Sequence, residues 1–350
     1  MGTTASLTMS SSPKNQRVAV VGAGIIGLST AWCLKERHPD LPVHIIADKF
    51  SPYTVSDISA GFWQPYLLGD TPMGLQVKWS KDTFVHMMKV HRMADTSDAG
   101  VQMISGYVTF KERVEDPYWK DIVLGFRHMT EEEVAQFKGQ THGWFFTTYG
   151  AESKYYLPWI MRKLKDFPDV KVFNRKLNSL SELAGEYDIV VNCSGLGARE
   201  LVNDHQVQPI RGQVMRVKAP WIKYFFNNED LSDIYLLPVV DSVVVGGTHQ
   251  VSSWDLQPSE EDKKRIWEGV CKFIPSLRGA KIENDFVGLR PSRPSVRLEL
   301  EDVNSWKGKL TIVHNYGHGG AGVTLHWGCA VGAAQLVEDA MRRLALKSKY

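Results

Sequence analysis

The sequence predicts an α/β protein, with a doubly wound parallel sheet assembled from separate stretches of chain and a second domain on a mixed or antiparallel sheet. Three observations predict it. The β-branched apolar run Val18-Ala19-Val20-Val21 leads straight into glycines spaced G-x-G-x-x-G and then into a helix-forming run. A second buried-strand pattern, Ile189-Val190-Val191-Asn192, ends in the small turn Cys193-Ser194-Gly195. A third, Leu310-Thr311-Ile312-Val313-His314, enters a glycine-rich stretch and a last helix. Buried strands alternating with helices build parallel sheets.

The first unit carries the most chemistry. Gly22 permits a tight turn out of the strand, Gly24 lets backbone approach a pyrophosphate, and Gly27 lets the helix pack closely on the sheet. Ala23, Ile25 and Ile26 lie between them, so their backbone would line the same ligand. The helix over about 25–36 aims free N–H groups and a partial positive charge at phosphates. Asp48 stands 21 residues after Gly27, at the end of the next strand, Val43-His44-Ile45-Ile46-Ala47. An acid there accepts hydrogen bonds from an adenosine ribose. Strand, glycines, helix, strand and acid in that order mark a dinucleotide site, for FAD or NAD.

Composition narrows the class. The chain has 350 residues, 43% hydrophobic and 23% charged, ordinary for a globular protein with room for two joined domains. A formal net charge of +2 gives no reason to expect a nucleic-acid or anionic-membrane partner. Cys33, Cys193, Cys271 and Cys329 form no C-x-x-C pair and read as buried free thiols. No apolar run approaches the roughly 20 residues that span a bilayer. Residues 1–16 are polar and Ser/Thr-rich, which predicts a disordered tail. Gly2 matches the loose myristoylation pattern, with no second membrane signal nearby.

After Asp48 comes a polar loop from Lys49 through Thr54, Val55 and Ser56. Ser59-Ala60-Gly61 and Phe62-Trp63-Gln64-Pro65-Tyr66 follow, small residues and then aromatics, a combination that suits a planar ring. Helical patterns cover 82–93 and 157–167, and Thr130 with Glu133 forms a capping box. Strand patterns cover 101–110, 144–149 and 170–173. Further strand patterns at 212–217, 234–238 and 242–247 predict an antiparallel sheet, followed by a helix over 260–273.

The glycine-rich stretch Asn315-Tyr316-Gly317-His318-Gly319-Gly320-Ala321-Gly322 reads as a loop opening a helix that runs to about residue 344. This second strand–glycine–helix unit lies about 300 residues after the first. A simple NAD dehydrogenase has no need to return to its cofactor in this way, whereas a flavin held at both ends does. Flavin oxidation needs a group that aims the substrate C–H and positive potential that stabilises the reduced ring. The helix after Gly322 supplies the second. Arginine suits the first, because its planar fork clamps a carboxylate. Arg290, Arg293 and Arg297 are available, and Arg290, after Val287-Gly288-Leu289 and before Pro291, is the one expected to point inward. Tyr235 is a second candidate donor. His314 and His318 have no third ligand at metal spacing, so no metal is expected.

Together these residues resemble the D-amino-acid oxidase family, including its D-aspartate oxidase branch, over nearly the whole chain from Arg17 to about Leu344. The motifs that carry the resemblance are the 313–322 stretch continued by His326-Trp327-Gly328, with Asn192-Cys193-Ser194-Gly195, Arg211-Gly212-Gln213, Val123-Leu124-Gly125-Phe126-Arg127 and Gly288-Leu289-Arg290-Pro291. The resemblance implies a Rossmann-like FAD-binding domain from 17–70, 155–210 and 286–350, and a substrate domain from 71–154 and 211–285. It implies non-covalent FAD, hydride transfer from Cα of a D-amino acid, and reoxidation by O2 to give peroxide. By motif position, Arg290 and the Tyr235 hydroxyl hold the α-carboxylate and the Gly320 carbonyl receives the amine. Ala47, Asp48, Lys49, Thr54, Val55, Ser56, Gly61, Gln64, Leu177 and Ser194 would line FAD, with Gly319, Gly320, Gly322, Val323 and Thr324.

Substrate preference divides the family. The short segment from Trp221 to Tyr235 resembles the D-aspartate oxidase lid. That branch grips the side-chain carboxylate with two arginines, and here Asn227 (or Asn228) and His249 occupy their positions. Gly247-Thr248-His249-Gln250 stands where Gly-Thr-Arg-Gln is expected, and His249 is cationic only when protonated. The expectation is a neutral or broad substrate range, with Gln64, Asn227 and His249 near the side chain. D-aspartate oxidase is the close alternative, and a non-catalytic flavin-binding protein the remote one. The family implies a peroxisomal location, yet Ser348-Lys349-Tyr350 departs from Ser-Lys-Leu and leaves the cytosol open. A homo-oligomer is compatible with this reading.

Overall fold

The computed structural model describes residues 16–230 and 233–347. The Gly2 pattern and the terminal Ser348-Lys349-Tyr350 lie outside the described residues, as does the expected tail up to residue 15. Gln16, assigned to that tail, instead donates from its side-chain amide to the Met341 carbonyl at 3.4 Å.

Along the chain, β1 (Val18–Val21), α1 (Ile25–Arg37) and β2 (Val43–Ala47) form the first unit. The short α2 (Val55–Ile58) precedes α3 (Met73–His91) and α4 (Thr96–Ala99). Next come β3 (Val101–Phe110), β4 (Leu124–His128), α5 (Glu131–Ala135), β5 (His142–Ala151), α6 (Ser153–Lys165) and β6 (Val170–Asn174). The chain continues through β7 (Ile189–Asn192), α7 (Ala198–Leu201), β8 (Gln208–Lys218), β9 (Phe225–Asn228), β10 (Ile234–Pro238), β11 (Val243–Gly246) and β12 (Gln250–Val251). It closes with α8 (Glu260–Phe273), β13 (Lys281–Ser305), β14 (Gly308–His318) and α9 (Gly322–Lys347).

Thirteen of these strands lie side by side in the order β4-β5-β3-β9-β10-β11-β8-β13-β14-β7-β1-β2-β6, and β12 pairs with β8. The last five, β14 to β6, run parallel. Read in chain order they give 3-2-1-4-5, the doubly wound arrangement with its reversal between β1 and β7. β1 lies between β2 and β7, with Val18 paired to Ile189. β1 and β7 are buried along their whole length, as strands covered on both faces must be.

The other half of the sheet is mainly antiparallel, with β3 and β9 paired in parallel. The two halves are continuous through β13, a 25-residue strand. It pairs with β8 from Lys281 to Ser292, and with β14 at Ser292 and again from Arg297 onward. The sequence offers no strand pattern here, because Pro291 and Pro294 interrupt it. Pro294 falls where the register with β14 shifts, between Ser292 and Arg297, and Pro291 faces Pro209 near the end of the β8 ladder. The helix expected at 82–93 starts earlier, at Met73, and β14 extends through the predicted loop to His318, because β13 pairs with it there.

Helices α1 and α9 pack together on the parallel strands, with α6 against α1 and α3 against α9. Trp32 of α1 sits at their junction, edge-on to His86 (5.1 Å), Trp159 (5.2 Å) and Trp327 (5.0 Å). Edge-to-face packing fixes relative orientation as well as burying area, so it sets where the first turns of α1 and α9 lie. Lys35 in the last turn of α1 is fully buried, and its ammonium donates to the Leu41 carbonyl and to Asp169, both at 2.7 Å, and also to the Pro39 carbonyl. Lys35→Met removes the cation and strands those acceptors. Urea unfolding should show a loss of about 2–3 kcal/mol, and an unchanged midpoint would contradict this anchoring role.

Candidate active site

One end of a groove is built by the first glycine turn. Gly22 has φ +111°, and a Cβ there would lie 2.4 Å from the Cys193 carbonyl oxygen. A Cβ at Gly27 would lie 1.9 Å from the Gly22 carbonyl oxygen, so helix and strand meet at backbone distance. The first turn of α1 holds no acidic residue. The Ile25 N–H donates to the Ser56 hydroxyl at 3.0 Å, while the N–H groups of Ile26 and Gly27 have no intrahelical acceptor. Asp48 is exposed just past β2, beside exposed Lys49 and buried Ala47. Thr54 and Asp57 cap one another's turn, which presents Ser56 to α1 and leaves Val55 outward. Ser194 donates to Asn192 at 2.6 Å at the end of β7, and Leu177 is buried near the end of β2.

The other end is built by β14 and α9. Gly317 and Gly319 take φ of +87° and +54°, and Gly320 stands exposed just before the helix. No acidic residue occurs in the first turn of α9, formed by Gly322, Val323 and Thr324. The Thr324 hydroxyl receives the Gln64 N–H at 3.2 Å and donates to the Gln64 carbonyl at 2.9 Å, which ties the aromatic loop to this helix. Gly61, with φ +75°, anchors the same loop against Ala151. Beneath lie His318 and His326, both fully buried. Desolvation pushes His318 down to about 3, with the His326 charge adding to it, and pushes His326 down to about 4. Both are neutral at pH 7. Within the buried layer the Tyr156 hydroxyl bridges His86 at 2.9 Å and His326 at 3.3 Å.

Between these ends three groups converge. The Arg290 guanidinium lies flat on Gly212: a Cβ there would sit 2.5 Å from its carbon and both terminal nitrogens. It donates to the Thr248 carbonyl at 3.0 Å and bonds the Tyr235 hydroxyl. The Tyr235 ring lies across Gly246, its register partner, where a Cβ would approach to 2.2 Å. Desolvation is the largest effect on Tyr235 and raises its pKa, so the hydroxyl stays a donor. The Tyr66 ring covers Gly320, where a Cβ would meet it at 2.7 Å and the Arg290 side chain at 3.7 Å. Fork, hydroxyl and exposed glycine backbone thus face one small volume.

Beside them is a second polar group. Asn227 pairs with Tyr235 in register and donates to Glu229 at 2.7 Å. Gln64 also bonds Glu229, whose carboxyl pKa is raised, desolvation outweighing the two hydrogen bonds although much of the residue is exposed. The Tyr66 hydroxyl donates to Asp233 at 3.1 Å and lies 3.1 Å from His249 Nδ1. With the tyrosine proton committed to Asp233, Nδ1 must carry the proton shared with Tyr66. Asn228 is buried on the opposite face, donating to Thr109 and Gln140, so Asn227 is the one of the pair beside the clamp.

The family described as "FAD dependent oxidoreductase" matches residues 17–336. The chain is 43% identical to D-aspartate oxidase of Homo sapiens, over 94% of this chain and 96% of that protein. It is 36% identical to D-amino acid oxidase of Dugesia ryukyuensis, over 94% and 99%. Among solved structures, glycine oxidase from Bacillus cereus ATCC 14579 superposes with TM-score 0.71 at 18% identity, covering 93% of this chain and 95% of that one, which shows the fold.

The chain belongs to the D-amino-acid oxidase family.

Its cofactor is FAD, and the groove fits it. Two acid-free helix starts offer free N–H groups to it, Gly22 and Gly27 let strand and helix meet at backbone distance, and Asp48 is exposed just past β2. Among the described residues, the Nε2 of His318 and the Oδ1 of Asn315 are buried without a partner next to the second glycine turn, as donor and acceptor groups awaiting a ligand would be. Sequence reasoning missed Tyr66, Glu229 and Asp233 as site residues. Tyr66 was visible in the aromatic stretch, but its partner Asp233 is 167 residues away.

Two expected outcomes follow from this geometry. Gly212→Ala should push the guanidinium off its seat and raise KM by at least about tenfold while FAD stays bound; unchanged steady-state kinetics would contradict the platform role. Because His318 and His326 are held neutral, the unfolded chain binds protons first on acidification. Stability is therefore complete above 6.5, the ordinary histidine value, and falls as pH drops towards about 4. Thermal midpoints of the FAD-loaded protein across that range should fall; a flat profile would contradict the buried neutral pair.

Proposed function

We propose that this protein oxidises D-amino acids of neutral or broad side chain at Cα, with O2 as final acceptor. The balance is D-amino acid, O2 and water to 2-oxo acid, ammonia and hydrogen peroxide. When bound, FAD supplies an acceptor for the hydride leaving Cα. Arg290 and Tyr235 hold the α-carboxylate, two charge-assisted contacts that fix the plane of the substrate. The Gly320 carbonyl accepts a hydrogen bond from the α-amine, which turns Cα–H in one direction only and so selects one enantiomer. The amine enters neutral, so no side chain has to act as base. The first turn of α9 places partial positive charge where negative charge develops. Tyr66, beside Gly320, forms one wall of the site.

The observation that carries this reading is the convergence of Arg290 on Gly212, Tyr235 on Gly246 and Tyr66 on Gly320. A second reading, selectivity for acidic D-amino acids, is supported by the likeness to human D-aspartate oxidase. Against it, Asn227 and His249 stand beside the clamp where arginines would be needed, and an unpaired carboxylate in such a site is costly. Peroxide formation supports a peroxisomal location, with the cytosol as the alternative.

A panel of D-alanine, D-proline, D-methionine, D-glutamate and D-aspartate, followed by peroxide release, tests the proposal. Oxidation of the neutral members and none of their L-forms is expected, and peroxide from D-aspartate alone would favour the second reading. Arg290→Leu should lower kcat/KM by about 10²-fold, chiefly through KM, with FAD retained; unaltered kinetics would remove the clamp assignment.

A further inference from the structure

The clamp accounts for the backbone half of an amino acid. The side-chain half must lie beside it, and the sheet register shows what waits there. Tyr235 on β10 is directly opposite Asn227 on β9, so the two share a face of the sheet. Glu229 lies just past the end of β9, and its carboxylate is held by Asn227 and Gln64. Asp233 precedes Tyr235 by two residues, and its carboxylate takes the Tyr66 hydroxyl while its carbonyl takes the Gly247 N–H. Tyr66 in turn covers Gly320. Two carboxylates therefore flank the mouth of the clamp, each fixed by hydrogen bonds from residues that already line it.

Neither has a cationic partner: among the described residues no ion pair includes Glu229 or Asp233. The groups holding them are two amides and a phenol, all neutral. Arg290 is committed to the substrate α-carboxylate. Arg265 on α8, the other guanidinium near, donates to the Gly247 carbonyl at 2.8 Å. The far half of the site thus carries uncompensated negative charge, held in place and facing a substrate whose α-carboxylate already neutralises Arg290. A second substrate carboxylate would add repulsion there, and a neutral chain would leave the charge unanswered. A terminal ammonium or guanidinium would complete it with charge-assisted hydrogen bonds.

Deepening the proposed D-amino-acid oxidase reading, on which it rests, we propose that Asp233 and Glu229 select D-amino acids with cationic side chains, D-lysine and D-arginine, over neutral and acidic ones. Asp233 and Glu229 act as specificity-determining residues for the side chain, apart from the clamp that holds the carboxylate.

The test compares kcat/KM of the FAD-loaded enzyme for D-lysine and D-norleucine, which differ in the terminal ammonium alone, and for D-glutamate and D-glutamine. The expected ratio of D-lysine to D-norleucine is about tenfold or more, and D-glutamate falls well below D-glutamine. Asp233→Asn and Glu229→Gln, each checked for bound FAD by its visible spectrum, should each reduce the D-lysine/D-norleucine ratio and raise the D-glutamate/D-glutamine ratio. A wild-type D-lysine/D-norleucine ratio at or below one overturns the inference, as does a ratio that neither substitution moves. Oxidation of D-norleucine with no D-lysine preference defeats this inference alone; no oxidation of any D-amino acid defeats the parent reading.

Discussion

A guanidinium pressed flat against a glycine backbone is the constraint on which the site depends. Arg290 belongs to β13 and Gly212 to β8, neighbours in the sheet, and any side chain at Gly212 would occupy the place of the fork. The same device recurs one strand pair away, where Gly246 makes room for the Tyr235 ring. A long, flexible cation gains directional strength only when its rotamers are limited. Here the floor is backbone, the Thr248 carbonyl takes one N–H, and the Tyr235 hydroxyl takes another. The fork is ordered before a ligand arrives, so less conformational entropy is lost on binding.

The rest of the fold brings that fork to the cofactor groove. β13 begins among the antiparallel strands that carry the clamp and ends paired with β14, whose last residues turn into α9. One strand thus sets the distance between Arg290, the proposed carboxylate clamp, and the start of α9, proposed to face the flavin. Trp32, edge-on to rings from three other helices, holds α1 and α9 in mutual register, so the helix termini proposed to hold the two ends of FAD are fixed by one packing cluster. Burial keeps His318 and His326 neutral under the second glycine turn, and no fixed positive charge develops there to bias the site.

Much of this was legible in the sequence, for definite reasons. Gly22, Gly24 and Gly27 between a β-branched run and a helix state a local geometry completely, and Asp48 follows at a fixed spacing. The capping box at Thr130 and the strand at residues 234–238 are likewise local signals. Arg290 stood out because apolar neighbours and a proline framed it. The strand containing it did not, since Pro291 and Pro294 mask a 25-residue strand. Glu229 and Asp233 belong to no motif or periodic pattern; their meaning comes from Asn227 facing Tyr235 across a ladder and from Tyr66 arriving from another part of the chain. Periodicity carries no information about contacts of that kind. The glycines at 212 and 246 were visible as letters, but only the rings and forks lying over them show why a side chain is excluded there.

The central claim is that this site removes hydride from Cα of a D-amino acid held by Arg290 and Tyr235. Mixing the FAD-loaded protein with D-norleucine in the absence of O2, and in parallel with L-norleucine, tests it in one turnover. The account predicts rapid, saturable bleaching of the flavin absorbance with the D-form and none with the L-form. A spectrum that stays oxidised with the D-form, or that bleaches equally fast with both, would contradict it.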